Sequence, residues 1–249
     1  MHKHVGIHKK KSVTNCFLNR LPPKRQENMD EKKLQKIGGV CAILEGFIYI
    51  VAFLIYGAIL VYPDTNASVS ERLDFLTENH LIFSLLTFTS YILFGILLVV
   101  LVVAIYHRLK THSPIRSQII SAFGIIWAGL VIASGMIANI SLNTVIEMGS
   151  KAPENAMLVF STTNIITEGL GGGNEIVGGI WVLLLSLTAI KGHLFSKPLN
   201  FLGILVGVAG ILTIYPLDLF TEIFGIGQIV WFLWIGIFMI RKPLVGNTN

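Results

Sequence analysis

From Leu81 to Ile105 the chain runs 25 residues without a charged side chain. As an α-helix this run is about 37 Å long, enough to cross roughly 30 Å of hydrocarbon. Ile37–Val61 is broken only by Glu45, and Ile119–Leu142 carries no charge at all. A fourth apolar core, Ile176–Ile190, measures only about 22 Å as a helix, so it must borrow the preceding turn, near Gly171–Ile190. Pro198–Tyr215 and Ile223–Ile240 complete six such segments, and the short link between the last two favours an antiparallel pair. Only 13% of the 249 residues are charged, against roughly 25% in soluble domains. Lipid can solvate this much apolar surface where a soluble core of this size could not. The predicted fold class is all-α: a polytopic transmembrane helical bundle of about six spanning helices.

Basic residues test that division independently. Seventeen of the nineteen Lys and Arg residues fall in the N-terminal tail, the second and fourth connections and the C-terminal tail. The alternate connections hold only Arg72 and Lys151. The positive-inside rule assigns the basic group to the cytoplasm, giving N-in and C-in. Acids collect on the opposite side, among them Asp64, Glu71, Asp74, Glu78, Glu147, Glu154, Asp218 and Glu222. Of the outer connections, 63–80 contains an amphipathic stretch with Val69, Leu73, Phe75 and Leu76, expected to skim the lipid surface. Residues 143–170 are expected to form a surface helix around Ala152–Phe160 or to extend the fourth helix outward.

Residues 1–36 read as a basic, disordered cytoplasmic tail, 37–241 as the six-helix transmembrane domain, and 242–249 as a short cytoplasmic tail. Ten basic residues precede the first span; anionic lipid explains them more simply than nucleic acid. The tail lacks the apolar core and cleavage site of a signal peptide, and Met29 is an alternative start of translation. Cys16 and Cys41, one in the tail and one in a span, are expected to remain free thiols.

Several polar residues are costly at membrane depth. Glu45 lies about eight residues inside the first span, where a carboxylate costs about 2.5 to 3.5 kcal/mol. Its helical neighbours are small residues and two tyrosines, Tyr49 and Tyr56. It reads either as a protonatable or cation-coordinating group, or as a structural acid hydrogen-bonded to Tyr49 or a neighbouring helix. Glu168-Gly-Leu-Gly-Gly-Gly-Asn174-Glu175 is the most unusual stretch. Its glycines weaken a helix and allow an unwound turn, and discontinuous helices beside acids and amides build ion or solute sites in transporters. Asn139, Asn143 and Gln228 lie at a similar outer level. Together Glu45, Asn139, Asn143, Glu168, Asn174, Glu175 and Gln228 form a candidate polar site. The alternative is that Glu168 and Glu175 reach to the interface while the glycines pack helices. Gly203, Gly207 and Gly210, and Gly129 with Ala133, read as helix-packing stripes.

Catalysis finds little support. No histidine falls within a span, no HExxH pattern exists, and the glycine run lacks the ending of a phosphate loop. The chain is expected to be no enzyme, with no catalytic residues, metal site or cofactor. The tryptophans Trp127, Trp181, Trp231 and Trp234 fit interfacial or packing roles.

The runs AFGIIWAGLVIASGMIANI (Ala122–Ile140), GLGGGNEIVGGIWVLL (Gly169–Leu184) and FGIGQIVWFLWIG (Phe224–Gly236) resemble a bacterial family of six-span membrane proteins of unknown function. The resemblance covers roughly Ile37–Arg241. It implies a multi-pass protein of the bacterial cytoplasmic membrane and carries no binding or catalytic residue with it.

Two functional classes remain. One is a small transporter-like or channel-like bundle with a polar outer-leaflet site for a small ion or solute, its halves arranged as an inverted repeat with Glu45 and Glu175 in corresponding places. The other is a non-catalytic module that binds lipid, another membrane protein or a second copy of itself. The lipid bilayer is the expected partner in both, and nucleic acid in neither. With Cys16 and Cys41 replaced by serine, single cysteines at Thr65 and Thr111 will react with an impermeant maleimide from opposite sides of the membrane. Reaction of both from one side would exclude the six-span threading.

Overall fold

Once the apolar runs become helices, each backbone N–H and C=O is bonded within its own segment, which is what hydrocarbon demands. The computed structural model describes residues 23–172, 175–215 and 217–242, and no strand occurs among them. Helix α1 spans Pro23–Leu54 and ends in a π-helical turn, Ile55–Ile59. Short α2 covers Val69–Glu78. Helix α3 runs His80–Leu109 with a π-helical turn at Phe88–Leu93. Then come α4 (Pro114–Gly149), α5 (Pro153–Thr167) with a π-helical turn at Glu168–Gly172, and α6 (Ile176–Lys191). Helices α7 (Lys197–Leu212) and α8 (Asp218–Arg241) close the chain.

Five helical stretches are long and apolar enough to cross a membrane, counting α5 with α6 as one. At 16 residues α7 is shorter, about 24 Å, yet it packs between α6 and α8 as a sixth member of the bundle. The helices form a ring in chain order, α1–α3–α4–α6–α7–α8, and α8 packs along α1 to close it. Large apolar side chains face outward around the ring, including Phe47, Leu81, Ile140, Leu187, Phe201 and Ile226. In water such a surface would aggregate; in lipid it is the solvated face.

The threading inferred from charge is visible as geometry. At one end Glu31 meets Lys110 at 3.0 Å, the Arg108 Nη2 donates to the Lys242 carbonyl at 3.0 Å, and the guanidinium lies 5.2 Å from the Phe195 and Phe238 ring centres. Every one of these residues belongs to, or borders, a segment placed on the basic side. At the other end His80 bonds Asn143 at 2.8 Å, and Leu73 packs against Gly149.

Three expectations need correction. Residues 23–36, expected as tail, are instead the first turns of α1, and Gln35 is buried there, donating to the Ala104 carbonyl and accepting from Arg108 at 3.1 Å. The apolar face of the 63–80 connection is turned into the protein. Ser68 and Glu71 cap α2 reciprocally, and Leu73 and Leu76 are buried with Leu142, Val145 and Ala156 in a second apolar cluster. This cluster exists because α4, at 36 residues about 54 Å long, outruns the bilayer, and α5 folds back along it as an outward extension of the broken fourth span. Finally, Gly129 does not pack: nothing lies near the space its side chain would fill, and it is exposed. Cys41 is a free, buried thiol; Cys16 lies outside the described residues.

Inside the ring, the centre is aromatic. Tyr49, Phe94, Trp127, Trp181, Trp231 and Phe232 touch in a closed circuit with ring centres 5.5 to 6.2 Å apart, many of them edge-to-face. Glycines let the helices approach this filling. A side-chain carbon on Gly179 would stand 2.7 Å from the Gly207 carbonyl, and Gly39 and Gly236 meet as closely between α1 and α8. Gly179→Val is therefore expected to destabilise the detergent-solubilised protein by about 1–3 kcal/mol. Gly129→Val will leave the thermal unfolding midpoint unchanged.

Candidate functional site

In the outer half of the ring the aromatic filling gives way to a half-open cavity of about 230 Å³. Its walls include Tyr49, Tyr56, Tyr91, Phe94, Trp127 and Glu175. Each π-helical turn supplies part of the lining: Tyr56 from the first, Ser90 and Tyr91 from the second, Gly171 from the third. A π turn inserts an extra residue into the helical register and re-aims the side chains beyond it; such turns concentrate at functional sites. Gly135 on α4 lies against the Tyr91 side chain, so the absence of a side chain there makes room for the second turn.

Gly171 has φ +123°, a conformation that glycine adopts and L side chains resist. It begins the break that separates α5 from α6. Beyond the break, the Glu175 backbone N–H donates to the Thr213 Oγ1 at 2.9 Å, and that hydroxyl donates to the Gly210 carbonyl at 2.7 Å. A side chain just past the end of α7 thus satisfies a backbone group freed by the break. Glu175 sits at the N-terminus of α6, where the helix dipole favours an anion. Its side chain is half-buried, and its Oε2 has no hydrogen-bond partner among the described residues, although the Trp127 indole lies beside it.

Beneath the cavity lies a second polar level. Glu45 and Gln228 are fully buried, and none of their side-chain oxygen or nitrogen atoms has a partner among the described residues. The hydrogen bond to Tyr49 or a neighbouring helix, which the structural reading of Glu45 requires, is not made among the described residues. Contacts of Gly46 with Ile229 and Leu233, and of Gly225 with Phe53, set the α1–α8 register and put Gln228 near the level of Tyr49. Tyr49 separates the two acids. It lies within electrostatic reach of both Glu45 and Glu175, and packs edge-on against Phe94 at 5.5 Å. Glu175 and Tyr49 both line the cavity, and Glu45, one turn before Tyr49 on α1, does not.

The remaining candidates scatter. Asn139 is half-buried with an unpartnered Oδ1, while its carbonyl accepts from the Asn143 side chain at 3.0 Å. Asn143 is exposed and tied to His80, and Glu168 is exposed; neither lines the cavity. Asn174 lies outside the described residues. The tyrosine walls were only half legible: Tyr49 and Tyr56 are seven apart on one face, but nothing in the sequence marks Tyr91 or the π turns. Among the described residues no three His, Cys, Asp or Glu side chains gather as a metal set.

A family model described as a domain of unknown function, DUF4386, matches residues 37–242. The chain belongs to the DUF4386 family. No curated protein and no solved structure matches it. The DUF4386 match takes in the six helices of the ring, apart from the start of α1, and the whole cavity, in agreement with the resemblance to a membrane family of unknown function. Glu31 and Gln35, which fasten the start of α1 to α3, precede the matched residues.

An unpartnered buried acid is a cost the fold bears. Glu45→Leu is accordingly expected to raise the stability of this DUF4386 protein in detergent by about 1–3 kcal/mol, read as a higher thermal midpoint. A lower midpoint would show Glu45 to be a structural acid.

Proposed function

We propose that this membrane protein is a small, non-catalytic, transporter-like bundle of the bacterial cytoplasmic membrane, and that its outer cavity takes a small organic cation. The observation that supports this most is Glu175 facing a cavity walled by Tyr49, Tyr56, Tyr91, Phe94 and Trp127. Aromatic faces attract a cation, most strongly where water is excluded, and the carboxylate supplies the opposite charge. A carboxyl at membrane depth calls for a partner, which an ammonium group in the cavity would be. The volume suits an ammonium bearing a few carbons. Mostly apolar walls with one or two fixed polar groups are the usual form of a small-molecule site.

The second polar level fits alternating access. Tyr49 stands between the outer acid and buried Glu45, so its rotation would join the two levels. The break at Gly171 and the three π turns place irregular backbone around the same space, as transporters do where a solute binds.

Tetraethylammonium is the probe. Binding to the purified protein, followed by tryptophan fluorescence through Trp127, is expected to saturate, and to weaken about tenfold or more in Glu175→Gln and less in Tyr56→Leu. A neutral isostere of the probe should not bind. Proteoliposomes holding the unmodified protein should accumulate the cation; binding without uptake would favour the interaction-module reading, and absence of binding would refute the site.

A further inference from the structure

A second concave site lies on the opposite half of the molecule, away from the cavity and independent of its function. Between the basic-side ends of α4 and α6 a half-open groove of about 220 Å³ is cut into the outer surface of the ring. Arg116, one turn into α4, and Lys191, the last residue of α6, both line it. Both are exposed, and neither makes an ion pair or side-chain hydrogen bond with any of the described residues. The rest of the lining is Ile119, Ile120, Leu184 and Leu187, with buried Thr188 and no acid. Ile119 and Leu187 are 47% and 43% exposed, so the apolar wall continues onto the lipid-facing flank.

The geometry points to this groove as a binding site for an anionic phospholipid of the inner leaflet. Two unpaired cations at the mouth match a phosphate and the net negative charge of the headgroup, while the isoleucines and leucines match an acyl chain. Basic pockets between spanning helices on the cytoplasmic side hold acidic headgroups in this way. A soluble anion would use the cations and waste the apolar wall. A zwitterionic lipid would bring an ammonium group toward two positive charges with no acid to receive it. The connections on either side reinforce the field: residues 107–118 and 191–197 contain no Asp or Glu. Glu31, an acid at this end, is already engaged by Lys110.

The test uses the full chain in a mild detergent, titrated with phosphatidylglycerol or phosphatidylcholine and read by native mass spectrometry and thermal unfolding. Phosphatidylglycerol is expected to remain bound and to raise the midpoint, and phosphatidylcholine to do neither. The apparent affinity should fall at least fivefold in Arg116→Gln/Lys191→Gln, and hold in Lys197→Gln/Arg241→Gln, which removes the same charge elsewhere at this end. Arg116→Lys should keep most of the binding. If the double variant fails to fold, Lys191→Gln alone carries the test, because that side chain is exposed at the end of its helix. Equal binding by both lipids, loss of binding in the charge-matched control as large as in the groove variant, or the same stabilisation by glycerol 3-phosphate would each overturn the proposal.

Discussion

Hydrocarbon offers no hydrogen bonds, so the chain must satisfy every backbone amide itself. Along most of its length it does so by forming α-helices, and those helices can move only as stiff rods. Departures from that regime are costly, and here they are not scattered. The three π-helical turns and the break between α5 and α6 all border one cavity. The break is tolerated because Thr213, just past the end of α7, accepts from the Glu175 amide. Irregular backbone and the exposed polar groups of the cavity are thus two aspects of one construction: the rods loosen where they enclose a space.

Association of the rods rests on shape more than on transfer from water, since lipid tails are as apolar as leucine. Glycines on α1, α6, α7 and α8 bring backbones together, and six aromatic rings fill the centre that this approach leaves. The polar atoms among those rings are the exception. Glu45, Gln228 and the indole nitrogens of Trp127 and Trp181 lack partners among the described residues. Stability alone would favour apolar residues at these positions.

The spans and their alternation were legible because apolar length and basic asymmetry are one-dimensional signals: 25 uncharged residues announce a helix in lipid whatever surrounds them. Ring closure was less accessible. Gly39 and Gly236 look like ordinary glycines until α1 and α8 are seen in contact. The outward helix after α4 was legible, but the packing of α2 onto it was not, because Leu73 and Leu76 read equally well as lipid-facing or core residues; only Val145 and Ala156 opposite them decide it. Gly129 failed in the other direction, since a small residue four positions from an alanine has the spacing of a contact whether or not a helix lies there. The acids Glu45 and Glu175 stood out by their cost, but their separation by Tyr49 depends on a helix register that spacing within one helix cannot supply.

Arg108 has a mechanical consequence. Its guanidinium sits against a packed pair of phenylalanine rings and holds the Gln35 side chain and the Lys242 backbone, so one residue of α3 fastens the beginning of α1 and the end of α8. Toward the opposite end, α1 and α3 carry π turns that border the cavity. Segments from the two ends of the chain's helical part are gathered at the Arg108 side chain, so the first and last helices share a single anchor.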